Sequence, residues 1–102
     1  MVHKLPERLP SEFIGKNIKE TINWSITIKN NKNNAVRLII EDQFPVSENS
    51  SIVIERLEAS NGHVEEKTGK VTWNLELKPQ EKRELTLMYS VKYPRRMDLQ
   101  VE

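Results

Sequence analysis

From Ile18 onward apolar and polar residues alternate. Ile18, Ile22, Trp24, Ile26 and Ile28 occupy even positions, with Lys19, Thr21, Asn23, Ser25, Thr27 and Lys29 between them. Successive side chains of a strand point to opposite faces, so a period of two predicts a ribbon with one buried and one solvated face. Glu20 interrupts the apolar face and marks either a bulge or the start of the strand, and the length of the run predicts a bend. Asn30-Asn31-Lys32-Asn33-Asn34 ends it, because Asn tolerates left-handed backbone and bonds its own main chain. Val36, Leu38 and Ile40 then restore the even-numbered apolar face, which predicts a hairpin.

A loop from Asp42 to Ser51 leads to a third strand, which starts at Ile52-Val53-Ile54 and reaches Glu58. Asn61-Gly62 is the strongest short hairpin signal in the chain and leads into a short strand between His63 and Glu66. A second turn falls at Thr68-Gly69-Lys70. Val71, Trp73, Leu75 and Leu77 next alternate with Thr72, Asn74 and Glu76. Pro79-Gln80-Glu81 could open a helix, since proline is tolerated in a first helical turn. Against this, Leu85, Leu87, Tyr89, Val91 and Tyr93 keep strict odd spacing, so a turn and then a strand ended by Pro94 is the better reading.

The flanks are less regular. Residues 1–12 hold two prolines and no periodicity and read as an entry arm, in which any strand would lie at a sheet edge. The tail 95–102 adds a short edge strand through Leu99 and Val101. Six to seven strands, short connections and no helix predict an all-β domain over 13–102, an immunoglobulin-like antiparallel β-sandwich. Trp24 and Trp73 sit on apolar faces and are the expected centre of its core.

Composition narrows what such a domain could do. A chain of 102 residues has room for one domain, burying roughly 60–68 % of its unfolded surface. A hydrophobic fraction of 36 % and a charged fraction of 30 % suit thin layers with one wet face each. Sixteen basic against fifteen acidic residues leave a net charge of +1, without the clustered basic excess of a nucleic-acid binder. No apolar run approaches the ~20 residues that span a bilayer as a helix. With no cysteine, disulfides, thiolate zinc sites and cysteine nucleophiles are excluded.

Chemistry finds little footing. His3 and His63 are sixty residues apart, so a shared metal site is not expected. Glu65-Glu66, as strand neighbours, would face opposite ways, and Glu41-Asp42 read as a solvated strand end rather than a calcium site. Ser47, Ser50 and Ser51 lie in a loop without the G-x-S-x-G elbow that lifts a serine from a sheet. Thr68-Gly69-Lys70 lacks the rest of a phosphate loop. Lys92, Arg95 and Arg96 beside Tyr93 form the one basic cluster, read as a charged strand end that discourages edge pairing. Asn23-Trp24-Ser25 and Asn49-Ser50-Ser51 match the glycosylation acceptor pattern and carry no weight. Catalytic, cofactor and metal residues are therefore none, and a ligand site is not assigned. The domain is expected not to be an enzyme.

Four segments together carry a likeness. Ile26 to Lys32 (ITIKNNK), Glu41 to Ser47 (EDQFPVS), Thr68 to Pro79 (TGKVTWNLELKP) and Tyr89 to Pro94 (YSVKYP) resemble, in order, the C-terminal part of the mucoidy inhibitor A-like bacterial family, whose molecular function is uncharacterised. The likeness spans about Phe13 to Leu99. It implies the C-terminal domain of a longer protein that is periplasmic, cell-surface or secreted, and it brings no catalytic residues. Its best-matched positions, Asn30, Asn31, Asp42, Gln43, Pro45 and Ser47, have structural explanations as turn and strand-end residues. Gln80 stands where the family pattern often has Gly.

The leading expectation is a non-catalytic structural or protein-interaction module with a protein partner or self-association. The alternative is a carbohydrate- or small-ligand-binding module using Phe44, Tyr89 and Tyr93. An outer row of these aromatics would favour it and burial of all three would oppose it.

Overall fold

The computed structural model describes residues 2–95. Among them there is no helix, and eight strands form two antiparallel sheets stacked as a β-sandwich. In chain order these are β1 (Val2–Arg8), β2 (Glu12–Ile14), β3 (Asn17–Lys29), β4 (Val36–Gln43), β5 (Val53–Glu58), β6 (His63–Val64), β7 (Lys70–Leu77) and β8 (Lys82–Pro94). The long sheet runs β1-β3-β8-β5, with β2 also on β3; the short sheet runs β4-β7-β6. The count exceeds the six or seven expected because residues 2–14, which lack alternation, also pair with β3. There β1 is an edge strand. The expected tail strand through Leu99 and Val101 lies outside the described residues.

Pairing β3 with β8 makes the spine of the molecule. The register is unbroken from Asn17↔Pro94 to Lys29↔Lys82, so Glu20 sits opposite Val91 without a bulge. Its carboxylate accepts a hydrogen bond from the Tyr93 hydroxyl at 3.2 Å, which gives a charged group a partner on an otherwise apolar face.

Two expected hairpins are instead crossings between sheets. β3 and β4 belong to different sheets, and Asn30 holds the crossing together. Its buried Nδ2 donates to the carbonyls of Asn34, Leu77 and Lys78, while its Oδ1 accepts from the Lys32 N–H. Likewise β5 lies in the long sheet and β6 in the short one. The turn between them has Ser60 and Asn61, both at positive φ (46° and 62°), as its central pair, closed by Gly62 N–H to Ala59 O at 2.9 Å. It falls one residue earlier than Asn61-Gly62. Gly62 is needed for contact: a Cβ there would come within 2.6 Å of Val71 and 2.7 Å of the Trp73 Nε1. Alternation reports which way a side chain faces but not which sheet its strand joins, so both errors share one cause. The turn at Thr68-Gly69-Lys70 does join paired strands, β6 and β7.

The Pro79 turn also crosses between sheets, from β7 to β8. The Glu81 N–H bonds the Lys78 carbonyl at 3.0 Å, and Gln80 takes a positive φ of 62°, where glycine would be free of strain. The Gln80 amide offsets that cost by donating to the carbonyls of Asn31 and Lys32.

The core lies between the sheets: Ile26, Ile28, Leu85 and Leu87 from the long sheet, Val71, Trp73 and Leu77 from the short one, and Phe44 beside them. Trp73 is 3 % exposed and donates its Nε1–H to Ala59 O at 2.7 Å. Trp24 is not central. It is partly buried at the core margin, with Nε1–H on the Tyr89 hydroxyl and the Lys4 ammonium over its ring.

Candidate functional site

The two sheets differ in length. β3 and β8 have 13 residues each, whereas β4 and β7 have 8. At ~3.3 Å per residue the long sheet outruns the short one by roughly 16 Å, in keeping with a molecule 54 Å long and 27 Å by 22 Å across. The covered half of β3 supplies Ile26 and Ile28 to the core. Its other half, from Asn17 to Asn23, keeps the same alternation with no strand of the short sheet above it.

Register identifies what this overhang presents. Residues opposite one another share a face, so Ile18, Tyr93 and Phe13 lie level on the inner side, as do Ile22 with Tyr89, and Val91 with Ile54 and Glu20. Phe13 is 68 % exposed, and Ile18, Ile22, Ile54, Val91 and Tyr93 are half-buried. The face is apolar with Glu20 inside it. Arg8, level with Ile22, and Arg95, whose guanidinium lies 4.8 Å from the Phe13 ring centre, bring positive charge to its rim. Along one margin the connection from β4 to β5 travels to the tip, leaving an open groove lined by Pro45, Val46, Ser47, Ile52, Ile54 and Arg56.

β2 builds the tip. Ile14 and Asn17 close a two-residue turn at Gly15-Lys16, and the Arg95 N–H bonds the Lys16 carbonyl, which ties the end of β8 to it. Phe13 was not read as a strand residue from the sequence; the only signal was an apolar pair before a glycine, one turn ahead of Ile18.

The residues weighed for chemistry stay apart. His3 is exposed on β1 and His63 exposed on β6, in different sheets, and no group of three metal-ligating side chains occurs among the described residues. β6 ends before Glu65 and Glu66, which occupy a turn, with Glu66 beside Arg56 at 3.4 Å. Glu41 and Asp42 point to opposite faces and pair with Lys70 and Lys4 at 2.6 and 2.8 Å. The Lys70 ammonium is held above its ordinary pKa, first by its hydrogen bond to Glu41. Ser47 bonds the Asn49 backbone. In the basic cluster, Lys92 faces outward opposite Val53 and Arg95 stacks on Phe13, while Arg96 lies outside the described residues.

The positions behind the sequence likeness work structurally. Asp42 Oδ1 accepts from the Gln43 N–H, and the Gln43 amide donates to Thr68 O at 2.7 Å. Phe44 is 1 % exposed and meets Tyr89 edge-on at 6.2 Å between ring centres. The aromatic residues thus face into the sandwich and form no outer row, although only Phe44 of the three is fully buried.

No curated protein and no solved structure matches the chain. One family model does, over residues 5–95, which takes in β3 through β8 and the tip. The chain belongs to that family, described as a domain of unknown function (DUF4139).

Proposed function

We propose that the domain is a non-catalytic protein-interaction module that docks another protein on the uncovered inner face of its long sheet. The observation that carries this is the overhang. Phe13, Ile18, Ile22, Ile54, Val91 and Tyr93 extend the core's apolar face past the last residue of the short sheet. Apolar faces left open in this way mark interaction sites. Arg8 and Arg95 at the rim favour a partner surface with an apolar centre and an acidic border. The likeness to the mucoidy inhibitor A-like family supports placing the module in an exported or envelope-associated bacterial protein. The immunoglobulin-like reading rests on the strand pattern. A carbohydrate-binding reading has less support, since Phe44 is buried and the Tyr89 and Tyr93 hydroxyls are engaged by Trp24 and Glu20.

A photo-cross-linking amino acid at Phe13, in the full-length protein in its host, tests the reading, with outer-face Glu84 as the control position. The expected result is a discrete protein adduct from position 13 alone, lost when Arg8→Glu and Arg95→Glu are combined. Equal adducts from both positions, none from position 13, or indifference to the charge reversal would overturn it.

A further inference from the structure

The four sheet edges are not equally defended. On β1 the Leu9 N–H reaches Thr21 O at 3.0 Å, so odd-numbered residues bond β3 and even-numbered ones turn their backbone outward. Pro6 therefore removes a donor from the middle of that edge, with Lys4 and Arg8 on either side. β5 is bulged between Arg56 and Glu58, and β6 has only two residues. β4 has neither proline nor bulge: it runs for eight residues in unbroken register with β7 from Val36↔Leu77 to Gln43↔Lys70, and its outward charges, Arg37 and Glu41, are of opposite sign.

Which backbone groups of β4 are open follows from one hydrogen bond. The Phe44 N–H bonds Gly69 O at 2.8 Å, the next step of the β4–β7 register. Even-numbered residues thus bond β7, and Arg37, Ile39 and Glu41 turn their N–H and C=O groups to the free edge. The same three side chains stand on the outer face, since Val36, Leu38 and Ile40 pack on the core. Ile39 is 67 % exposed, and the Arg37 side chain 89 %.

From this edge we infer that β4 is a homodimerisation strand, pairing antiparallel with β4 of a second copy about Ile39. The sequence Arg37-Leu38-Ile39-Ile40-Glu41 is complementary to its own reverse. Centred on Ile39, it sets Arg37 of each copy opposite Glu41 of the other and the exposed Ile39 side chains against each other. Arg37, Ile39 and Glu41 are the residues whose backbone groups point outward, so the side-chain register and the hydrogen-bonding register coincide, giving about six inter-chain backbone bonds. The charges continue across the joined sheets. Glu76 sits opposite Arg37 at 3.4 Å, and Lys70, opposite Gln43, reaches Glu41 diagonally, so the outer-face charges would run Glu76, Arg37, Glu41, Lys70 with alternating sign, the last one diagonal step off the row. Leu38 and Ile40, half-buried in the monomer, face one another on the inner side. The inference does not depend on the overhang, which belongs to the other sheet.

Sedimentation equilibrium of the chain and two charge variants tests this. Wild type is expected to show a concentration-dependent monomer–dimer equilibrium. Arg37→Glu alone and Glu41→Arg alone each put like charges opposite in both rows and should weaken dimerisation about tenfold or more. An equimolar mixture of the two variants restores opposite charges in both rows, and its heterodimer should recover the wild-type affinity to within a few-fold. Ile39→Pro removes an outward donor and should give monomer, with circular dichroism confirming that each variant is folded. Phe13→Ser should leave dimerisation unchanged. A monomeric wild type at millimolar concentration, a mixture no tighter than the single variants, or a dimer abolished by Phe13→Ser would each overturn the inference.

Discussion

Trp24 and Trp73 occupy equivalent places in the alternation yet carry different loads. Trp73 is enclosed between the sheets, touches the position where Gly62 has no Cβ, and satisfies the Ala59 carbonyl of the neighbouring turn. Trp24 lies at the boundary of the overhang, its ring beneath Lys4. Trp73→Ala is therefore expected to destabilise the fold by about 3–5 kcal/mol, through lost packing and a cavity. Trp24→Ala should cost clearly less, and urea titration of both variants measures the difference. Comparable losses would mean that the second tryptophan is enclosed as well. The sequence showed that both rings face inward, because that follows from parity. It could not show where the covering sheet stops, because coverage depends on the lengths of β4 and β7 relative to β3, and parity is blind to length.

Among the elements, the connections between sheets were the least legible part. The Asn30 and Asn61-Gly62 turns have the composition of hairpins, and only the distant carbonyls of Leu77 and Lys78 reveal what the Asn30 side chain ties together. The ends of the Pro79 turn were legible, since alternation stops at Leu77 and resumes in the strand that Pro94 ends. Its internal chemistry predicts a pH response. Glu81 accepts the Lys78 N–H at 2.8 Å and the Arg83 guanidinium at 2.7 Å, and these contacts, the backbone one foremost, hold its pKa below the ordinary 4.5. A lowered native pKa means that the carboxylate stabilises the fold above pH 4.5, and that this contribution is lost as the pH falls through the native value. Melting temperatures of wild type and Glu81→Gln should thus differ at neutral pH and converge in acid. A gap that stays constant or widens in acid would contradict the assignment.

At the scale of the whole molecule, the unequal sheets decide the functional reading. The apolar residues of the overhang were legible as strand residues, with Ile18 and Ile22 on the even positions of one strand and Val91 and Tyr93 on the odd positions of another. Their exposure was not legible, and neither was the pairing of Phe13 beside them, since residues 2–14 join the sheet through backbone bonds to β3 without a pattern of their own. The structure also separates two surfaces that one word, interaction, would merge. One is an apolar face on the long sheet, and the other a backbone edge with alternating charge on the short sheet. Nothing in the chemistry of one requires the other.

The proposed docking function rests on the long sheet continuing past its cover. The most direct measurement is paramagnetic relaxation of side-chain NMR signals by a soluble gadolinium chelate, which broadens groups that solvent can reach. The Phe13 ring and the Ile18 methyls should be strongly broadened, while Ile26, Ile28 and Leu87 stay sharp. Equal protection of Ile18 and Ile28 in a monomeric sample would mean that a second layer extends to the tip, and the proposed docking face would not exist.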